Sequence, residues 1–293
     1  MPLAIVRGGG DLATGIVYRL WKVGFTVLTL ETPHPTVIRR PVSVAQAVFE
    51  KTHAIGGMTA RLISSARDMP DDGDVGVLID PRGRSISALK PDLLIDAIMA
   101  KKNCGTTRDM APRVIAIGPG FRAPRDAHAV VETLRGHNLG RVIENGEAAP
   151  NTGTPGEIGG ETTTRLVRSP AEGLAGFTVA IGDHVEDGQI IGAISGKPIA
   201  ARISGVVRGL IHPSTPVAAH MKIGDIDPRA VRENCFSISD KSLAIAGGVL
   251  EAALAFKLGP EEEVRSCSLP CWPPSIFRKE ALYASRAAEA RRR

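Results

Sequence analysis

The sequence predicts an α/β fold: a parallel sheet wrapped by helices over residues 1–158, then a small all-β domain over 163–231. Three observations predict it. An apolar stretch at 3–7 runs into Gly8-Gly9-Gly10-Asp11 and then into a helical pattern. Short apolar runs and helical periods keep alternating to about residue 120, as a sheet with crossover helices requires. Beyond residue 163 the texture changes to β-branched stretches punctuated by glycine, with little helical period.

The elements follow in order. Residues 3–7 form the first strand. Ile16, Val17, Leu20 and Trp21 then place apolar groups on one face of a 3.6-residue period, and Gly24 ends that helix. Residues 27–31 give a second strand, 75–80 a third, 92–102 a helix, and 113–117 a further strand that stops at Gly118-Pro119-Gly120. Val77-Leu78-Ile79 and Val114-Ile115-Ala116-Ile117 lack polar alternation, which suits strands buried on both faces. In the second region, residues 181–194 and 216–226 share a pattern, and 169–173 pairs with 202–207, so two similar half-units are expected. Ser239-Asp240-Lys241 offers N-cap chemistry for a helix over 237–259 that packs back on the first domain; residues 260–293 are expected to form a poorly ordered tail.

Composition narrows the function classes. The chain has 293 residues, 43% of them hydrophobic, enough to bury a sizeable core. A net charge of +5 and only 4% aromatic residues argue against nucleic acid, for which stacking platforms and basic patches are the usual equipment. No run approaches the roughly 18 apolar residues of a membrane helix, and Gly8 to Asp11 interrupt the first apolar stretch too soon for a signal peptide. Four cysteines are too few for a secreted disulfide framework, so a cytoplasmic location is expected. Cys267 and Cys271 form a C-x3-C pair with no second ligand pair, and no metal site is expected.

The glycine cluster carries the strongest chemical signal. A strand, glycines that let the backbone approach a phosphate, a helix N-terminus and an acidic Glu31 roughly twenty residues on make a Rossmann-like signature. Gly8, Gly9, Gly10, Asp11 and Thr14 are therefore expected to hold a nucleotide or dinucleotide, NAD(P) or a molybdopterin cofactor among them, with Glu31 on a ribose. Asp11 counts against a phosphate, since it would repel one. Ligands of open α/β sheets lie beyond the carboxyl ends of the strands, which adds Asp80, Gly118 and Gly120 to the same cleft. The block from Gly118 to Arg141 adds Arg135 and Asn138 as binding residues. His128, Glu132 and His137, with Asp80, are the candidates for proton transfer. Solvated charges on a surface loop and edge strand are the competing reading of that block, and a capped turn the competing reading of Asp80.

Two resemblances sharpen these expectations. Residues 169–226 resemble the barrel-sandwich hybrid of biotinyl and lipoyl carrier domains, with Lys197 near the modified lysine but without its flanking residues. Arg7 to Gly15, Leu30-Glu31-Thr32, Ile38-Arg39-Arg40, the Gly118 to Arg141 block, Pro150 to Gly153 and Lys222 to Arg229 together resemble the YqeB-type accessory proteins of the selenium-dependent molybdenum hydroxylase system. That resemblance implies a Rossmann-like domain akin to the xanthine dehydrogenase accessory proteins, and an accessory role in maturing a molybdenum hydroxylase. A client hydroxylase and a small nucleotide would be its partners, without nucleic acid or membrane, and self-association is compatible with it. An NAD(P)-dependent oxidoreductase and a non-catalytic carrier or scaffold are the alternative readings.

Overall fold

Leu3–Arg7 is a strand because its five residues are flanked by turn formers and nearly all buried, and its main chain pairs on both sides. The computed structural model describes residues 1–70, 73–153 and 156–258. In chain order the strands are β1 (Leu3–Arg7), β2 (Thr26–Glu31), β3 (Thr52–Ile55), β4 (Met58–Ile63), β5 (Val75–Ile79), β6 (Leu93–Asp96), β7 (Arg113–Ile117), β8 (Arg122–Ala123), β9 (Ala129–Val131), β10 (Val142–Ile143), β11 (Gly146–Glu147), β12 (Leu166–Arg168), β13 (Ala175–Phe177), β14 (His184–Val185), β15 (Ile190–Ile194), β16 (Lys197–Ala200), β17 (Gly205–Leu210) and β18 (Lys222–Asp227). The helices are α1 (Asp11–Lys22), α2 (Ala47–Glu50), α3 (Ser85–Leu89) and α4 (Asp240–Leu258).

Nine strands form one mixed sheet in the order β10-β9-β7-β6-β1-β2-β5-β4-β3. Its seven inner strands are parallel, and β3 and β10 are antiparallel at the two edges. On one face Ala4, Val6, Val27, Ile95 and Ile115 pack under α1 and α4. The opposite face, with Ile5, Leu28, Leu94 and Val114, is covered by Ile86 of the five-residue α3 and by loop residues such as Phe121.

The Rossmann-like expectation is corrected here. The sheet is mixed, and its long helices lie on one face only. The helix expected over 92–102 is the strand β6 followed by a loop. Its Leu93, Leu94 and Ile95 satisfy a helical period as well as a strand, but ladders to β1 and β7 on either side decide the outcome. Met99 and Lys101, with φ of 60° and 62°, prevent any helical continuation.

The second region is not a barrel-sandwich hybrid. It consists of two antiparallel sheets, β12-β18-β17-β14 and β13-β15-β16, around a core of Val185, Ile191, Ile194, Val207 and Ile223. Lys197 begins β16, exposed beside a tight turn in which Ser195 and Gly196 have φ of 49° and 75°, the signature of a type I′ hairpin. The segment after β2 ties these sheets to the first: Arg40 Nε donates to the Leu210 carbonyl (2.8 Å), and a Cβ on Gly209 would lie 2.7 Å from the Ile38 carbonyl. The described residues from 2 to 258 form one compact unit. Among the described residues no helix is long and apolar enough to cross a membrane. The Cys267/Cys271 pair and the tail at 260–293 lie outside the described residues.

Candidate functional site: an arginine-walled cavity

The glycine loop follows β1, as the sequence pattern requires, but Gly8 and Gly9 are already committed to the chain's own groups, Gly8 N–H donating to the Leu30 carbonyl (2.8 Å). Gly9 N–H donates to Glu31 Oε1 (2.7 Å), and Thr32 N–H donates to Glu31 Oε2 (2.7 Å). Ala45 N–H donates to the Gly9 carbonyl (3.0 Å), and a Cβ on Gly9 would sit 2.9 Å from the Ala45 nitrogen. Thr14 Oγ1 donates to the Gly10 carbonyl (2.9 Å) and accepts from Val44 N–H (3.0 Å). Gly8 is equally close-packed, its missing Cβ pointing 2.8 Å from the Ala97 carbonyl. The chain at 43–46 thus packs directly on Gly9 and Thr14, and the buried Glu31 carboxylate holds the Gly9 N–H. Burial pushes the Glu31 carboxyl up, against the two N–H groups that hold it.

The other expected residues serve separate local structures. Asp80 accepts from Ser85 and Arg84 N–H and from the Ser85 hydroxyl (2.7–3.0 Å), capping the turn into α3. Burial works against its ionisation, yet these hydrogen bonds prevail and hold its carboxyl below the usual range. Glu132 accepts from Thr133, Leu134 and Ala149 N–H, each at 2.7 Å, and so pins the loops after β9 and β11. Asp80 follows β5 and Glu132 follows β9, five strand spacings apart in the sheet, about 24 Å. They cannot share a substrate. His128 Nδ1 accepts from Val114 N–H (3.0 Å), and burial beside Arg108 and Arg113 lowers its pKa to about 4. His137 and Asn138 are exposed on the loop before β10. Gly118 and Gly120 make room for Thr133 and for the backbone at 101–102. The cleft expected at the strand ends is therefore not assembled.

Arg135 and Asp11 belong instead to a charged network where α1, α4 and the four-stranded sheet meet. Asp11 pairs with Arg39 (3.2 Å), whose second nitrogen donates to the Asn234 and Ser237 carbonyls (2.9 and 3.3 Å). Arg135 grips Asp240 at the start of α4 with both terminal nitrogens (2.8 and 3.3 Å), which lowers the Asp240 carboxyl to about 2. Arg165 is hydrogen-bonded to Asp225, both buried. Arg229 takes Asp227 through Nε and a terminal nitrogen (2.9 and 2.6 Å). Burial depresses both Lys222 and Lys241 in the same network, with Arg165 near the first and Arg135 near the second.

Arg208 differs from all of these. It projects from β17, is 8% exposed, and among the described residues has one ion-pair contact, Asp227 at 3.7 Å, a carboxylate that Arg229 already holds more closely. No hydrogen bond from its guanidinium is found among the described residues, and its Nε is buried without an acceptor. Burial, with Arg39 and Arg229 nearby, pushes its pKa down. Arg208 opens with Arg135 and Arg229 into a cavity of about 190 Å³, closed by Glu157, Ile158, Gly159 and Asp240. Such a set can bind an oxyanion through planar forks. Among the described residues no group of three His, Cys, Asp or Glu side chains could hold a metal ion.

Sequence reasoning missed Arg208, Arg165, Asp240 and Lys241 as site residues. The signal for Arg208 was a charge inside the buried run Val206-Val207-Arg208-Gly209-Leu210. The stretch Lys222 to Arg229 adds Lys222, Asp225, Asp227 and Arg229 to the same network.

No family model matches the chain. It is similar to "Uncharacterized protein YqeB" of Escherichia coli (strain K12), 48% identical over 255 residues, covering 86% of this chain and 47% of that protein. This supports a YqeB-type protein, and the chain spans about half the length of the curated relative it matches. Solved structures similar to it include a succinylglutamate desuccinylase/aspartoacylase from Rhodobacter sphaeroides (11% identical, 76% of this chain and 86% of that one, TM-score 0.24). An aspartoacylase family protein from Mesorhizobium loti (12%, 77% and 84%, TM-score 0.24) is another. Likeness at this level assigns no activity. With Gly8 and Gly9 packed on the chain's own Ala97 and Ala45 and the Gly9 N–H held by Glu31, the readings that depend on a nucleotide at that loop are corrected: hydroxylase maturation through a bound nucleotide or molybdopterin, and NAD(P)-dependent oxidation. The carrier reading is corrected with the barrel-sandwich expectation on which it rested.

Proposed function

We propose that the chain binds a small, multiply charged oxyanion, a phosphate or a polycarboxylate, in the cavity walled by Arg135, Arg208 and Arg229. The observation that carries this reading is Arg208, 8% exposed, whose Nε is buried without an acceptor and whose guanidinium makes no hydrogen bond among the described residues, with Asp227 at 3.7 Å as its ion-pair contact. A buried charge in that state is costly, and an incoming anion would supply the missing acceptors. The surroundings suit the task. Asp225 and Asp227 hold Arg165 and Arg229 in place from the floor of β18. The Asp240 carboxylate on Arg135, 73% exposed, stands where one ligand oxygen would go. An exposed pair of this kind is worth about 0–1 kcal/mol, so a ligand displaces it at little cost.

Titration calorimetry with inorganic phosphate, pyrophosphate, succinate and citrate tests the reading and separates phosphate from carboxylate. Arg208→Gln removes a charge-assisted contact of about 1.5–3 kcal/mol and is expected to weaken the preferred anion by about ten- to a hundredfold. Asp240→Asn, which removes the competing carboxylate, is expected to tighten it. Unchanged affinity in a folded Arg208→Gln protein, or no heat with any of the four anions, refutes the proposal.

A further inference from the structure

A second cavity, of about 390 Å³, is lined by the segment 40–53 and by residues of the β-sheets. Its lining is of two kinds: Phe177, Val179, Ile181, Leu210 and Phe236 are apolar, and Arg40, Gln46, Glu50 and His53 are polar. Arg40 is half-buried and donates Nε to the Leu210 carbonyl, and among the described residues no carboxylate lies within ion-pairing distance of it. Glu50, the acid that faces the same space, is held by Gln46 Nε2 (2.7 Å) and His53 Nδ1 (3.0 Å). Burial lowers the Arg40 pKa although Glu50 opposes the shift. The cavity therefore offers a guanidinium with no ion-pair partner in reach among the described residues, Glu50 acting on it only from farther off, together with apolar lining, within the size range of small-molecule pockets.

We infer that this cavity is a second binding site, for a monocarboxylate with an apolar body, its head on Arg40 and its chain along Val179, Ile181 and Phe236. The site is separate from the arginine-walled cavity and shares no lining residue with it. Recognition splits into two parts that can be measured apart. The Arg40 fork supplies the preference for an ionised head, and the trough supplies a gain with each methylene that it buries, about fourfold in affinity.

Calorimetry with butanoate, hexanoate and octanoate, and with their primary amides, reads both parts on the full chain. The acids are expected to gain about fourfold per methylene until the trough is filled, and to bind at least tenfold tighter than the amides. Arg40→Met is expected to abolish the preference for acid over amide while keeping the chain-length series. Val179→Trp, which fills the trough, is expected to remove the series, and it decides the matter if Arg40→Met does not fold. Inorganic phosphate is expected not to compete with octanoate. Affinity that is flat with chain length, acids and amides that bind alike, octanoate binding unaffected by Val179→Trp, or full competition by phosphate each overturns the assignment.

Discussion

Replacing Glu31 by alanine separates a structural carboxylate from a ligand contact. In the structure the side chain is 9% exposed and accepts from Gly9 and Thr32 N–H, both at 2.7 Å. Thr32 is exposed and can turn its N–H to water, whereas Gly9 is buried under Ala45 and cannot. The loss is thus dominated by one orphaned buried donor, about 1–3 kcal/mol, partly offset because a desolvated charge is removed. For a unit of this size that is a fall in melting temperature of about 2–10 °C. Urea denaturation at pH 7 reads it as a lower midpoint with an unchanged slope. Glu31→Gln keeps one acceptor for Gly9 and is expected to lose less. Its pH dependence has a definite sign. The folded Glu31 pKa is raised, so its contribution is fully present below the unfolded value and is lost as pH rises through the folded value. The advantage of the native chain over Glu31→Gln therefore shrinks from pH 4 toward pH 7. Full stability in Glu31→Ala, together with loss of a nucleotide-dependent rise in melting temperature, would refute the structural role and return the loop to ligand binding.

Helix α4 gives a paired test of packing: a Cβ on Gly248 would lie 2.0 Å from the Gly140 carbonyl, and one on Gly247 would meet nothing within 4 Å. Gly248→Ala is expected to cost about 1–3 kcal/mol or more by overpacking, and Gly247→Ala to gain about 0.5–1 kcal/mol by favouring the helix; equal effects in urea denaturation would contradict the docking of α4 on the loop before β10. His128, lowered to about 4 by burial, is expected to show no imidazole titration by NMR between pH 7 and pH 5. The stability it contributes is present at neutral pH and lost as pH falls from the unfolded value near 6.5 through the folded one, so His128→Gln should flatten that arm of the stability profile.

The strands that could be read from the sequence are those whose apolar runs end in a turn former. β1, β2, β5 and β7 stop at Gly8, Thr32, Asp80 and Gly118, and the turn chemistry marks where each pleat ends. β6 could not be read in this way, because Leu93-Leu94-Ile95-Asp96 runs on into Ala97, Ile98 and Met99 with nothing local to say that two neighbouring strands will claim it. The glycine loop was legible as a place where backbone must come close to something, and the structure agrees that it does. What comes close is the chain's own Ala45. A missing Cβ admits a phosphate or a neighbouring main chain equally well, so the pattern alone could not distinguish them. Glu31 carried the same ambiguity: a carboxylate at that offset can hold a ribose, or it can satisfy the loop N–H itself.

The arginine cavity was hidden for a different reason, since its parts are far apart in the chain. Arg135 comes from the loop after β9, Arg208 from β17, Arg229 from the turn after β18 and Asp240 from the start of α4. No spacing rule links positions separated by a whole sheet. The physical clue is local to each strand. Arg208 lies in a strand with a fully buried pattern, and Asp225 and Asp227 lie at i and i+2 on another. A buried strand admits a charge only with a partner. Three such charges on two paired strands demand partners, and Arg165 and Arg229 answer for the two aspartates. Arg208 is left with a share of Asp227 at 3.7 Å. Its side chain is where the fold of this unit and the chemistry proposed for it become the same question, because an anion is what would complete both.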